Sequence, residues 1–191
     1  MERRYNQTHI RSEGNKISGY ASVFFDGTPE TEFKMWKDGP VERMSKTAFN
    51  RAIDERHDVR ALYNHNPDNL LGRTAAGTLH ITTDAKGLRY SIPFDANDAD
   101  HVRVKSKLDR GDLTGSSFAF QITGDEWSKE DGKEVRTITD VSLVDVGPVT
   151  YPAYEGATAS TRDAATLQSY DNWKAKQETQ KRIEKLNNLP I

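Results

Sequence analysis

The sequence lacks cysteine altogether over its 191 residues. This absence excludes disulfide frameworks, thiolate zinc sites and cysteine nucleophiles. An excess of charge of one sign is also missing, because 27 Lys and Arg residues stand against 29 Asp and Glu residues, for a net charge of −2. A dedicated nucleic-acid binder usually carries a basic excess, so nucleic acid is not an expected partner.

Long apolar runs are absent too. No run approaches the length of about 18 residues that a membrane-spanning helix needs. Residues 1–15 lack the apolar core of a signal peptide. We therefore expect a soluble protein that is made inside a cell and has no membrane partner.

Motifs for cofactors and metals are missing as well. The chain has no G-x-x-x-x-G-K-[ST] motif and no G-x-G-x-x-G motif that opens a helix, so nucleotide binding has no support. Five histidines are present, but no two have the four-residue spacing of a helical zinc motif. We predict no cofactor and no bound metal.

The apolar residues divide the chain into three parts. Short apolar runs alternate with turn signals up to about residue 154 and become sparse from residue 157 onward. This pattern predicts an N-terminal arm over residues 1–16, a globular domain over residues 17–156 and a polar helical tail over residues 157–191.

The predicted tail helix, residues 162–189, has a thin apolar stripe that includes Leu167, Tyr170 and Trp173. Such a stripe is typical of a helix that docks on a partner, on a second copy or on its own domain. A solvated, frayed terminal helix is the alternative.

Within the globular part, short alternating runs predict strands and two longer periodic stretches predict helices. The predicted strands cover residues 17–25, 59–63, 78–83, 88–94, 117–122 and 135–146, and the predicted helices cover residues 45–56 and 95–112. A polar hairpin loop is expected over residues 124–134. This order is too irregular for a parallel βαβ sheet. We predict an α+β, mainly β fold: an antiparallel β-barrel flanked by helices, with a C-terminal helical tail.

Serine, histidine and carboxylate side chains are the remaining candidates for catalysis. A serine hydroxyl is inert near neutral pH until a positioned base takes its proton. His65 directly follows an apolar strand, and Ser116 and Ser117 follow Gly115 at the start of another strand. Glycine lets the backbone approach a substrate closely and leaves amides free as oxyanion donors. Each segment alone also fits an ordinary surface turn or strand.

Two acids in the strand over residues 135–146 are candidates for the third position. Asp140 and Asp145 are five residues apart, and an odd separation predicts that they face opposite sides of a strand. At most one of them can then orient His65. The pattern itself does not choose between them.

Taken together, these segments resemble the prohead (procapsid maturation) serine proteases of tailed phages over residues 17–162. The matching segments, in chain order, are residues 19–24, 40–49, 61–66 with 71–74, 84–88, 110–120, 138–146 and 148–154. The family is distantly similar to the herpesvirus assemblins, whose fold is an antiparallel β-barrel surrounded by helices.

The resemblance implies roles for individual residues. It favours Ser117 over Ser116 as nucleophile, because the family's serine is two positions after the glycine. It implies His65 as the base. It favours Asp140 over Asp145 as the third member, because Asp140 precedes a Val-x-Leu stretch as the third histidine of the assemblins does.

The resemblance also implies a function. The chain would be a serine endopeptidase inside the prohead, in the host cytoplasm, that cleaves the scaffolding segment of the major capsid protein and cleaves itself. The major capsid protein would be its partner, with self-association through the tail helix. One alternative is a catalytically inactive structural or scaffolding protein of the same fold. The other is a small esterase or amidase, for which a G-x-S-x-G nucleophile-elbow motif is expected. Residues 115–119 have the sequence G-S-S-F-A instead.

Overall fold

The computed structural model describes residues 1–6, 10–151 and 164–187. The chain divides into two compact units, Met1–Ala159 and Ser160–Ile191. In the described part of the second unit the chain forms one helix, α3 (Ala164–Asn187), where the tail helix is predicted. Of the helices described, none is long and apolar enough to cross a membrane.

The first unit is built from eleven strands and two α-helices within its described residues. In chain order they are β1 (Glu2–Asn6), β2 (Arg11–Glu13), β3 (Lys16–Val23), β4 (Phe33–Lys34), β5 (Val41–Met44), α1 (Asn50–Asp54), β6 (Arg60–Leu62), β7 (Leu70–Arg73), β8 (His80–Thr83), β9 (Gly87–Pro93), α2 (Ala99–Asp109), β10 (Gly115–Glu130) and β11 (Lys133–Val149). The α+β, mainly β prediction is confirmed.

These strands form two sheets. The larger has the order β1-β10-β11-β5-β4, with β6 paired to β11 and β7 paired to β6; the smaller has the order β2-β3-β9-β8. Apolar side chains of both sheets and of α1 share one core, which includes Ile17, Phe49, Tyr90, Phe118 and Phe120. The rings of Phe118 and Phe120 stack at a centroid distance of 4.7 Å.

The predicted antiparallel barrel is not found among the described strands. Closure needs the end strands of a sheet to pair, whereas β1 and β4 end the principal row of the larger sheet without pairing to each other. The sheet is also mixed, because β11 pairs in parallel with both β5 and β6. The short strands β4, β5 and β7 were not predicted, since two to four residues carry little periodic signal.

Two other regions differ from the expectations or extend them. A hairpin is present where the polar hairpin loop is expected, but the predicted loop is too long: β10 and β11 continue to a tight turn at Asp131 and Gly132, whose φ angles are 47° and 83°. Positive φ at both central positions suits the Asp-Gly sequence of a type I′ hairpin.

In the region predicted as an N-terminal arm, β1 joins the larger sheet and β2 joins the smaller sheet. The boundary predicted after residue 156 lies outside the described residues.

Candidate active site

His65 is presented by a 3-10 turn, Tyr63–His65, that directly follows β6. Asn64 and His65 both have left-handed backbone angles, with φ of 57° and 55°. Such angles are uncommon for residues with a side chain. The turn leaves the His65 side chain almost fully buried, with 9% of the residue exposed.

Ser117 lies on β10, between β1 and β11, and has no exposed surface. Its Oγ is 2.5 Å from Nε2 of His65. The hydroxyl also lies 2.9 Å from the main-chain carbonyl oxygen of Arg4, to which it can donate its hydrogen. The candidate nucleophile and the candidate base are therefore within hydrogen-bond reach of each other, 52 positions apart in the chain.

The other ring nitrogen of His65 contacts a carboxylate. Oδ1 of Asp145, a buried residue of β11, is 2.5 Å from Nδ1 of His65. A carboxylate only accepts hydrogen bonds, so Nδ1 carries the hydrogen and Nε2 of the neutral ring is left as an acceptor facing Ser117. The structure thus aligns Ser117, His65 and Asp145 in one hydrogen-bonded row.

A glycine lets the turn that carries His65 approach this close to β10, the strand of the candidate nucleophile. Gly147 is the register partner of Ser117 on β11. A Cβ atom at Gly147 would lie 2.1 Å from the carbonyl oxygen of Leu62. Only glycine therefore fits beside the segment that leads into His65. Sequence reasoning missed this residue, although the G-P pair at residues 147–148 marks a local interruption of the strand.

Asp140 occupies a different place from the one expected. Its carboxylate accepts hydrogen bonds from Nε of Arg51 at 2.9 Å and from Oγ1 of Thr123 at 2.5 Å. Along β11 it is seven residues from Gly147, the partner of Ser117, which is about 23 Å in an extended strand. The structure does not bring Asp140 to His65; Asp145, the alternative, takes that position.

The pKa of the Asp140 carboxyl reflects these partners. Burial acts to raise it, but the hydrogen bonds from Thr123 and Arg51, together with the Arg51 charge, hold the pKa below its usual value. Asp140 is therefore an ionised member of a polar cluster beside α1, with Arg51 as its counterion.

The expectation that the two acids face opposite sides of the strand fails because of a β-bulge. Ala119 pairs with Asp145, but the next residue, Phe120, pairs with Leu143, so Val144 is an extra residue on β11. One extra residue breaks the two-residue alternation of a strand. Asp145 thereby lies on the face that Ala119 shares with Ser117.

Ser116, the alternative nucleophile, points away from His65. Its Oγ is 2.8 Å from the hydroxyl oxygen of Tyr90, on β9 of the smaller sheet. Both residues are completely buried, and burial raises the pKa of the Tyr90 hydroxyl. Ser116 and Ser117 are consecutive residues of β10 and therefore lie on opposite faces of the strand.

The described residues contain no group of three or more His, Asp or Glu side chains arranged to hold a metal ion. The chemistry that the Ser117, His65 and Asp145 row can perform is proton transfer: Nε2 can take the serine hydrogen while Asp145 stabilises the imidazolium that forms.

The family model described as caudovirus prohead serine protease matches residues 2–175 of the 191. No curated protein and no solved structure matches the sequence.

Proposed function

The chain belongs to the caudovirus prohead serine protease family, as its motifs predict, and on this basis we propose that it is an active serine endopeptidase with Ser117, His65 and Asp145 as its catalytic residues. The observation that carries the proposal is the position of His65. One ring nitrogen is 2.5 Å from the candidate nucleophile and the other is 2.5 Å from a buried carboxylate.

Each residue has a defined role in the proposed mechanism. His65 takes the hydrogen of Ser117 as Oγ attacks the carbonyl carbon of the scissile peptide, and it then gives that hydrogen to the leaving amine. Asp145 keeps the hydrogen of the neutral ring on Nδ1 and stabilises the imidazolium. Water then attacks the acyl-enzyme, with His65 again as the base, and frees Ser117.

The proposed substrates are the scaffolding segment of the major capsid protein and the protease itself, inside the prohead in the host cell. Family membership supports this assignment. Self-association through α3 belongs to the same proposal. A helix with a thin apolar stripe is typical of one that docks on a second copy, and Ile183 and Leu186 of α3 are exposed.

A catalytically inactive structural protein of the same fold is the alternative. It is less favoured, because a chain that has lost catalysis has no need to keep a buried Ser-His-Asp row. The esterase alternative is also less favoured, since a nucleophile elbow joins a strand to a helix, whereas Ser117 is followed by further residues of β10.

Labelling with a fluorophosphonate, which reacts with activated serines, tests the proposal directly. We expect the wild-type chain and Ser116→Ala to be labelled, and Ser117→Ala and His65→Ala to be unlabelled.

Co-expression with the major capsid protein, followed by mass spectrometry, tests the substrate: wild type yields cleaved capsid protein and Ser117→Ala does not. A wild-type chain that is folded, assembled with capsid protein and neither labelled nor cleaving would contradict the proposal.

A further inference from the structure

The turn that carries His65 is held by a side chain as well as by its backbone. Asn64 and His65 are consecutive left-handed residues. Non-glycine residues keep such a conformation only where their surroundings fix it. Asparagine tolerates the left-handed region better than most residues, but that tolerance alone does not fix the direction in which the next side chain points.

Thr150, the residue directly after β11, supplies the fixing contacts. Its main-chain N–H donates to Oδ1 of Asn64 at 2.8 Å. Nδ2 of Asn64 donates to Oγ1 of Thr150 at 3.0 Å. The same Oγ1 is 2.8 Å from the hydroxyl oxygen of Tyr63. The Asn64 amide is thus held on both sides by one residue.

One stretch of chain therefore determines the position of His65 twice. Asp145 contacts the imidazole ring, and Thr150, five residues further along, contacts the side chain of the preceding Asn64. Because both contacts come from the C-terminal part of β11 and its next residue, ring and backbone are placed relative to the same strand. Ser117 pairs with Gly147 of that same strand, so the nucleophile is placed relative to β11 as well.

We propose that Asn64, acting with Thr150, is a positioning residue that sets the orientation of His65 toward Ser117. The inference rests on the proposed function. Asn64 does not touch the reacting atoms; it aligns the base. Misplacing a catalytic group by about 1 Å can lower the rate about 10²-fold. Loss of the Asn64 amide is therefore expected to lower kcat and leave KM nearly unchanged.

Substitution by glycine separates the amide contact from the backbone angle. Asn64→Gly retains a residue that adopts the left-handed region freely and removes the two contacts to Thr150. Thr150→Ser keeps both the main-chain N–H and a hydroxyl. The matched control is Asn66→Gly, just beyond His65 in the same loop, which removes an amide that accepts a hydrogen bond from the N–H of Asp68 at 3.0 Å.

Two measurements on the full chain test the inference: the rate constant of fluorophosphonate labelling, and the downfield NMR resonance of the His65 Nδ1 hydrogen, which does not depend on catalysis. We expect Asn64→Gly to lose or broaden this resonance and to be labelled about 10- to 100-fold more slowly. The labelling rate constants of Thr150→Ser and Asn66→Gly should remain within about threefold of the wild-type value. All three variants should still unfold cooperatively on heating.

The outcomes separate this inference from the proposed function. A wild-type chain that no probe labels would contradict the proposed function, while loss of the resonance in Asn64→Gly would still support the positioning role. An Asn64→Gly chain with the wild-type resonance and labelling rate would overturn the positioning role. Equal losses in Asn64→Gly and Asn66→Gly would overturn it too, because a general loosening of the loop would then explain both.

Discussion

The hydroxyl of Ser117 lies 2.9 Å from the main-chain carbonyl oxygen of Arg4, on the N-terminal strand. A serine hydroxyl has one hydrogen. When that hydrogen points to Arg4, Oγ has no hydrogen to donate to Nε2 of the neutral His65 ring; when it points to Nε2, the pair is ready for proton transfer. Strand β1 thus carries a second acceptor for the hydrogen that the proposed mechanism moves from Ser117 to His65.

The Arg4 side chain anchors this strand in a buried ion network. Its guanidinium contacts Glu2 and lies 2.5 Å from the carboxylate of Glu42, which is fully buried. Burial opposes the positive charge, but Glu42 and Glu2 hold the pKa of Arg4 above its usual value. Arg136 also reaches Glu42, at 3.4 Å.

The first prediction concerns this anchor. Arg4→Met should lower the free energy of unfolding by about 3 kcal/mol, the lower end of the range for a broken buried ion pair, because Arg136 still partly neutralises Glu42. Arg3→Met, at the exposed neighbouring position, should change it by less than about 0.5 kcal/mol. Urea denaturation followed by circular dichroism measures both. Equal effects would show that the network does not hold β1.

The second prediction separates the two acids of β11. Asp145→Asn should lower turnover about 10⁴-fold, because the amide can no longer hold the hydrogen of His65 on Nδ1. Asp140→Asn should keep most of the activity, since its partners are Arg51 and Thr123. Cleavage of a capsid-derived peptide by the two variants is the measurement. Full activity in Asp145→Asn together with an inert Asp140→Asn would reverse the assignment.

Much of this site could be predicted from the sequence. The glycine entry led to the pair Ser116 and Ser117, and the turn after an apolar strand led to His65. Only the family resemblance favoured Ser117 over Ser116. The strand pattern could not choose between the two acids, and the resemblance favoured Asp140, which the structure does not bring to His65. The pattern failed because the faces of the two acids depend on the extra residue Val144 in β11. A bulge arises from how two strands pair, and neither strand's own pattern encodes it. The acceptor on Arg4 was missed for the same reason, since β1 reaches β10 only in the folded chain.

The third prediction concerns pH and the pair of Asp140 and Arg51. The folded pKa of Asp140 is lowered, so its contribution to stability is present above the unfolded value of about 3.9. That contribution is lost as the pH falls through the lower folded pKa. Asp140→Asn should therefore melt slightly below wild type at pH 7, and the difference should shrink as the pH falls below the unfolded pKa of Asp140.

Salt provides the control for that measurement. Both side chains of the pair are about one-third exposed, with relative exposures of 36% for Arg51 and 30% for Asp140, so added salt should screen their attraction. The melting difference at pH 7 should shrink in concentrated sodium chloride. A difference that is constant in pH and salt would indicate lost packing or neutral hydrogen bonding instead of charge.

The fourth prediction uses two glycines that are equally crowded but lie in different sheets. A Cβ at Gly147 would meet the carbonyl oxygen of Leu62 at 2.1 Å, and a Cβ at Gly87 would meet that of Ser22 at 2.0 Å. Both alanine variants should lose about 1–3 kcal/mol of stability through overpacking. Only Gly147→Ala pushes the segment leading into His65 away from Ser117, so only this variant should be labelled by fluorophosphonate about 10- to 100-fold more slowly per folded molecule. If Gly87→Ala slowed labelling equally, the reactivity of Ser117 would follow overall stability, and the close approach at Gly147 would have no separate part in catalysis.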